Sequence, residues 1–178
     1  GQSLGRGSGT YNLFGGSLVV GSAIVVGRDN NNSILRVAGD SSEITSLQTP
    51  NLNLFSASTL EFILSDNGVK SVDVLNSTFI SGGRLSIDGT HLTRRVDDIV
   101  LVNNVGSAAI NGAFANANEG ALFSTPVGDY RLTYNHAVDG GVANDLALQL
   151  VQVPEPLAFG GAVFLGTLTL LTRRKRSL

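Results

Sequence analysis

The chain reads as short runs in which apolar and polar residues alternate, separated by small polar corners. Leu60, Phe62 and Leu64 face one way, and Glu61, Ile63 and Ser65 the other. Leu85 and Ile87 alternate with Arg84, Ser86 and Asp88; Tyr130, Leu132 and Tyr134 alternate with Arg131, Thr133 and Asn135. Near the end of the domain, Leu146, Leu148 and Leu150 alternate with Ala147, Gln149 and Val151. A period of two is the mark of a strand with one face against a core. Shorter strand candidates are Leu18–Val20, Ala23–Val26, Ile34–Val37, Val69–Leu75 and Ile99–Val102.

Before residue 156 no amphipathic helix is legible. The alanine-rich stretch Val105–Asn118 is broken by Gly106 and Gly112, and it reads as irregular loop with a short strand. Turn signals stand between the strand runs: Asp29–Asn32, Asn67-Gly68, Gly82-Gly83, Asp88-Gly89, Asn111-Gly112 and Gly140-Gly141. Asn and Gly accept positive φ at little steric cost, as tight connections require.

Many short strands with such corners predict an all-β domain. Two architectures suit them, a parallel β-solenoid and an antiparallel β-sandwich. Three loosely similar units favour the solenoid: Gly15–Gly21, Ser33–Gly39 and Gly82–Ile87. Their spacing is irregular and defines no strict period.

After residue 152 the pattern changes. Val153-Pro154-Glu155-Pro156 is an extended elbow, Leu157–Thr172 is an uncharged apolar run, and Arg173-Arg174-Lys175-Arg176 is a basic block. As a helix the sixteen-residue run would span roughly 24 Å, thin against a hydrocarbon core of about 30 Å. Snorkelling arginines and local thinning of the bilayer recover part of the deficit. Ala158, Ala162 and Gly166 form a small-residue stripe on which a second helix can pack. A basic cluster stays on the cytoplasmic side, so residues 1–152 are expected outside the membrane. The expected division is an extracytoplasmic β-rich domain over 1–152 and a tail over 153–178. The tail then comprises a transmembrane helix over 157–172 and a stop at 173–176.

These tail residues resemble the PEP-CTERM sorting signal of bacterial envelope proteins. The resemblance rests on Pro154, Glu155 and Pro156, the short apolar span, and the stop at Arg173, Arg174, Lys175 and Arg176. It implies recognition by an exosortase, a membrane transpeptidase-like protease that acts near the Pro-Glu-Pro motif. It covers the tail alone and implies no chemistry for the domain before it.

A second resemblance concerns the domain. Ser58–Phe62, Ser81–Ile87, Asn111–Phe114, Glu119–Phe123, Tyr130–Tyr134 and Asn144–Leu148 look like the end of an autotransporter-passenger-like β-helix. In such proteins the β-helix is an extended surface scaffold, and its last coils act as a cap.

Composition narrows the function. Residues 1–152 carry 8 Lys and Arg against 13 Asp and Glu, a net charge of −5, while the tail carries +3. An acidic folded part argues against a nucleic-acid partner. Cysteine is absent, which removes disulfides, thiolate nucleophiles and cysteine metal sites. The chain begins at Gly1 with no secretory signal, so an exported protein of this kind is expected to have been trimmed or truncated at its start.

Candidate chemistry is sparse. Asp139–Leu146 resembles one glycine-rich calcium-binding nonapeptide, with Asp139 and Asp145 as candidate ligands, but Ala143 replaces an expected glycine and no second copy supplies the opposing half-site. The only histidines, His91 and His136, have Asp97-Asp98 and Asp129 near them in sequence. No nucleophile elbow, zinc helix or phosphate loop accompanies them. Asp73, Asp88, Asp97 and Asp98 are the carboxylates available for glycoside hydrolysis, yet tryptophan is absent and few aromatics remain for a sugar platform. Asn31-Asn32-Ser33 and Asn76-Ser77-Thr78 match glycosylation acceptors.

The sequence therefore predicts a non-enzymatic, exported bacterial surface or matrix protein of structural or adhesive type, without a cofactor. Its expected partners are an exosortase-type protease, the lipid bilayer, and exopolysaccharide or other surface proteins. A carbohydrate- or calcium-binding β-sandwich is the alternative, and a polysaccharide-acting enzyme the third reading.

Overall fold

The computed structural model describes residues 8–28, 31–40, 42–138 and 141–151. The sorting motif, the apolar run and the basic stop all lie outside the described residues, as does Asp139. Among the described residues no helix is long and apolar enough to cross a membrane.

The described chain is all-β and winds as a parallel β-solenoid of four coils. Its first face is a parallel sheet of β1 (Gly9–Leu13), β4 (Ser33–Val37), β6 (Ser58–Ile63) and β8 (Arg84–Asp88), in that order. The remaining strands belong to a second sheet. In it, β2 (Gly16–Val19) and β3 (Ala23–Val26) both pair parallel with β5 (Ile44–Leu54). β5 pairs parallel with β7 (Val72–Ser81), which in turn pairs parallel with β9 (Ile99–Asn104) and β10 (Asn111–Ala113).

Register divides this second sheet into two faces. β2 lies along Ile44–Gln48 of β5 and β9 along Val72–Val74 of β7, whereas β3 lies along Asn51–Leu54 and β10 along Phe79–Ser81. The division falls at Pro50. Gln48-Thr49 face Asp73-Val74, Asn51 already faces Ser77, and the register shifts between them. Proline has no N–H for the ladder, so it is tolerated where pairing is interrupted and the sheet turns.

The core is a set of stacks running up the coils. Tyr11, Leu35, Leu60 and Leu85 form one rung series, and Leu13, Val37, Phe62 and Ile87 another. On the third face Val26, Leu54 and Ile80 stack and end on Gly112. Leu35, Val37, Leu54, Leu60 and Phe62 are fully buried, each contributing about 1.5–3 kcal/mol of transfer free energy. The coils stack at the strand spacing of about 4.8 Å.

The antiparallel sandwich is overturned, because the body is parallel throughout. Among the described residues, antiparallel pairing between strands is confined to the end, where β13 (Asp145–Leu150) runs against β9, β12 (Gly128–His136) against β13, and β11 (Leu122–Thr125) against β12; the turn Ser65–Gly68 adds one isolated antiparallel bridge. Two tyrosines of β12 fasten this cap. The Tyr130 hydroxyl donates to the Val96 carbonyl at 2.8 Å and accepts from the Val96 N–H at 3.3 Å. The Tyr134 hydroxyl donates to the Ala117 carbonyl at 2.6 Å and accepts from the Phe114 N–H at 3.1 Å. Burial raises the Tyr134 pKa above the ordinary phenol value.

Several local expectations change. A period exists on the first face: Asn12 and Arg36 are 24 residues apart, and Arg36 and Glu61 are 25 apart. The unit Gly15–Gly21 belongs to the second face, so the true partner of Ser33–Val37 in the first coil is Gly9–Leu13. Val69–Leu75 gives way to a strand starting at Val72 and running to Ser81. Asn111-Gly112 is no turn; it lies inside β10, where Gly112 has a φ of 90°. In β13 the alternation fails, since Leu146, Ala147 and Leu148 are all buried between β12 and β9.

Candidate functional site

Among the described residues, the titratable side chains singled out in the sequence stand at separate places, apart from one histidine–aspartate contact. His91 is exposed in the turn after β8, next to Asp88, whose carboxylate accepts from the Thr90 N–H and hydroxyl. Those two bonds, with the hydroxyl the stronger influence, hold the Asp88 pKa below its usual range. His136 closes β12, and its Nδ1 lies 3.8 Å from an Asp98 carboxylate oxygen. Asp129 sits at the opposite end of that strand. Sequence proximity had joined Asp98 to His91 and Asp129 to His136; the fold instead brings Asp98 to His136. Asp73 is held by Lys70 at 3.3 Å, by the Ser71 hydroxyl and by the Asn103 amide. Among the described residues no group of three His, Cys, Asp or Glu side chains is arranged to hold a metal.

Asp145, a candidate calcium ligand in the sequence, has both carboxylate oxygens turned to the backbone. Oδ1 accepts from the Asn104 N–H at 2.7 Å and Oδ2 from the Val138 N–H at 3.1 Å. Asn104 extends this network. Its amide donates to the carbonyls of Asn144 at 3.0 Å and Ala108 at 3.3 Å, and its oxygen accepts from the Thr78 hydroxyl at 2.6 Å. The Asn144 amide donates to the carbonyls of Gly106 and Ala108. Thr78, Asn104, Asn144 and Asp145 are all buried. Buried polar groups at this density are stable because each finds a partner. They bind the cap to the fourth coil.

The sheet faces differ in character, and the difference marks the best candidate for contact with other molecules. The first face carries one ion pair, Arg36 to Glu61 at 2.6 Å, and Arg36 also donates to the Asn12 side-chain oxygen. The third face, made of residues 23–26, 51–55, 77–81 and 111–113, has no charged residue. Its outward row reads Val25, Asn53, Phe79, Asn111 up the axis. A parallel row holds Ala23, Asn51 and Ser77, where the Ser77 hydroxyl donates to the Asn51 oxygen and the Asn51 amide to the Ser22 carbonyl.

The matching amides of Asn53 and Asn111 have no such partner among the described residues. Phe79 is 38% exposed between them and meets Phe55 edge-on, ring centroids 6.3 Å apart. A flat uncharged surface of free amides and phenyl edges can make many weak contacts with a neutral polymer or another protein surface.

No family model, curated protein or solved structure matches the chain. The reading of this site therefore rests on its own geometry.

Reasoning from sequence missed Asn53, Phe79 and Asn111 as one row. The signal was faint: residues 53 and 79 are joined only through the coil repeat, and Pro50 disguised the strand that carries Asn53. It missed Asn104 and Asn144 as core residues because asparagine in a glycine-rich chain reads as a turn former.

Proposed function

We propose that the chain is an exported bacterial surface or extracellular-matrix protein with a structural or adhesive role, and that it performs no catalysis. The solenoid serves as a stiff display body beyond the membrane. The tail over 153–178 directs it there: Leu157–Thr172 forms a transmembrane helix, Arg173–Arg176 hold the cytoplasmic side, and an exosortase-type protease acts near Pro154, Glu155 and Pro156. The order of elbow, uncharged run and terminal basic block carries this reading. The scattered carboxylates and separated histidines are in keeping with a body that binds through its surface.

The uncharged third face is the surface offered to exopolysaccharide or neighbouring surface proteins. Many weak polar contacts along a repeating face add up to firm attachment without a deep pocket. The reading is tested by replacing Pro154, Glu155 and Pro156 with alanine in a host that has the sorting protease. The variant is expected to accumulate as an unprocessed, membrane-retained product. Normal processing and release of that variant would sink the assignment.

A further inference from the structure

The chain contains two Asn-Gly pairs, Asn67-Gly68 and Asn111-Gly112, and the fold treats them in opposite ways. An asparagine amide is most reactive in this setting, because glycine puts no side chain in the path of its own nitrogen as that nitrogen approaches the amide carbon.

Asn67 is tied down. Its amide donates to the Asp40 carboxylate at 2.9 Å, its side-chain oxygen accepts from Arg94 at 3.5 Å, and its backbone N–H donates to the Ser65 hydroxyl at 3.3 Å. The Gly68 N–H, the group that would have to attack, is engaged with the Ser65 carbonyl at 2.8 Å.

Asn111 lacks these restraints. Its side chain has no partner among the described residues, and it and Gly112 are both exposed. The two open β10, a strand of three residues that pairs with β7. Gly112 cannot be exchanged for a bulkier successor, since a Cβ there would meet the Ile80 carbonyl oxygen at 1.9 Å. The close stacking of β10 on β7 thus requires the same residue that leaves Asn111 reactive. Asn53, on the same outward row, also has a free amide, but it is followed by the buried Leu54.

We propose that Asn111 is a site of spontaneous deamidation that changes the charge of the third face as the protein ages. The Gly112 nitrogen gives its proton to solvent hydroxide and bonds to the Asn111 Cγ. The bond from Cγ to Nδ2 breaks, and that nitrogen leaves as ammonia with a proton from water. Water then opens the five-membered succinimide at either carbonyl, leaving aspartate or isoaspartate. Overall a water is consumed and an ammonia released, without oxidant, metal or enzyme. Closing the ring requires the backbone at 111 to leave its extended state, which a short edge strand reaches by local opening.

The product is a carboxylate on a face that has no charge over residues 23–26, 51–55, 77–81 and 111–113. A charge there is unfavourable to desolvate against a neutral partner, so attachment through this face weakens with age. That consequence rests on the adhesive reading of the face; the chemistry at Asn111 does not, so the two fail separately.

The full chain in mild detergent is held at mildly alkaline pH, sampled over days, and mapped by mass spectrometry. Cleavage after lysine and arginine puts the two pairs on different peptides, since Lys70 and Arg95 lie between them. In the folded protein Asn111 is expected to convert about tenfold or more faster than either Asn67 or Asn53, with isoaspartate among the products. In concentrated urea Asn67 is expected to catch up with Asn111 while Asn53 stays slow. Asn111→Gln, which would have to close a larger ring, is expected to remove the early acidic shift in isoelectric focusing. Equal rates at Asn67 and Asn111 in the folded protein, or an Asn111 as slow as Asn53, would overturn the proposal. So would an early acidic shift that persists in Asn111→Gln.

Discussion

The Thr78 hydroxyl donates to the Asn104 side-chain oxygen at 2.6 Å inside the solenoid, on a rung where the two preceding coils place Leu52 and Ile24. Hydrocarbon fills the first two coils at this position, and a hydrogen bond fills the third. The exchange is intelligible because Asn104 also satisfies the carbonyls of Ala108 and Asn144 in the closing loop. Asn104→Ala takes these partners from the Asn144 carbonyl and the Thr78 hydroxyl, while the Ala108 carbonyl keeps its bond from the Asn144 amide. A loss of about 2–4 kcal/mol is expected, above the cost of one ordinary hydrogen bond. Urea denaturation measures it; a change below about 0.5 kcal/mol would remove the network from the stability account.

Tyr130 pins the cap from the other side. Tyr130→Phe keeps the ring and removes the hydroxyl that serves both backbone groups of Val96. The expected cost is about 1–2 kcal/mol, with faster amide hydrogen exchange in the loop around Val96. Unchanged exchange there would mean that the loop is held by other contacts.

Glycine is required at 112 by contact as well as by φ. A Cβ at Gly112 would sit 1.9 Å from the Ile80 carbonyl oxygen, whereas one at Gly68, with a similarly positive φ of 84°, meets nothing within 4 Å. Gly68→Ala should therefore cost about 1–2 kcal/mol from conformation alone. Gly112→Ala should cost more and displace β10 from β7. Equal thermal shifts for the two variants would contradict the close stacking described for the third face.

Acid should weaken the fold. The Asp40 pKa is held below its usual value mainly by the Ser42 hydroxyl and then by the Asn67 amide, and Asp66 mainly by the Thr93 hydroxyl. A carboxylate with a depressed folded pKa stabilises the fold fully above its unfolded pKa, near 3.9. That contribution is lost as pH falls through the lower folded value. Stability from these groups is thus level above about pH 5 and declines below about pH 4. Asp40→Asn should flatten part of the acid limb of a stability-versus-pH curve. A limb as steep as that of the parent would exclude Asp40 as a contributor.

Much of the body was legible in advance. The alternation at Leu60–Leu64 and Leu85–Asp88 gave strands of the first face, and its 24- and 25-residue steps are regular once aligned. The regularity was hard to see because the other faces carry loops of unequal length: Val72 and Val102 pair although 30 residues apart. β5, the longest strand, escaped notice because Pro50 interrupts it and because threonine and asparagine occupy much of it. Its proline marks a corner, which local pattern cannot distinguish from a strand end. The swapped pairing of Asp98 with His136 was equally hidden, since it depends on how β12 folds back over the fourth coil.

The central claim is that a solenoid body is carried outside the cell and cut free from its tail. Intact-mass and C-terminal peptide analysis of the protein recovered outside a host with an exosortase-type protease tests it most directly. The account predicts a C-terminus beside Pro154–Pro156 and no peptide containing Arg173–Arg176. Recovery of the chain from the cytoplasm as a water-soluble protein with that basic terminus intact would contradict it.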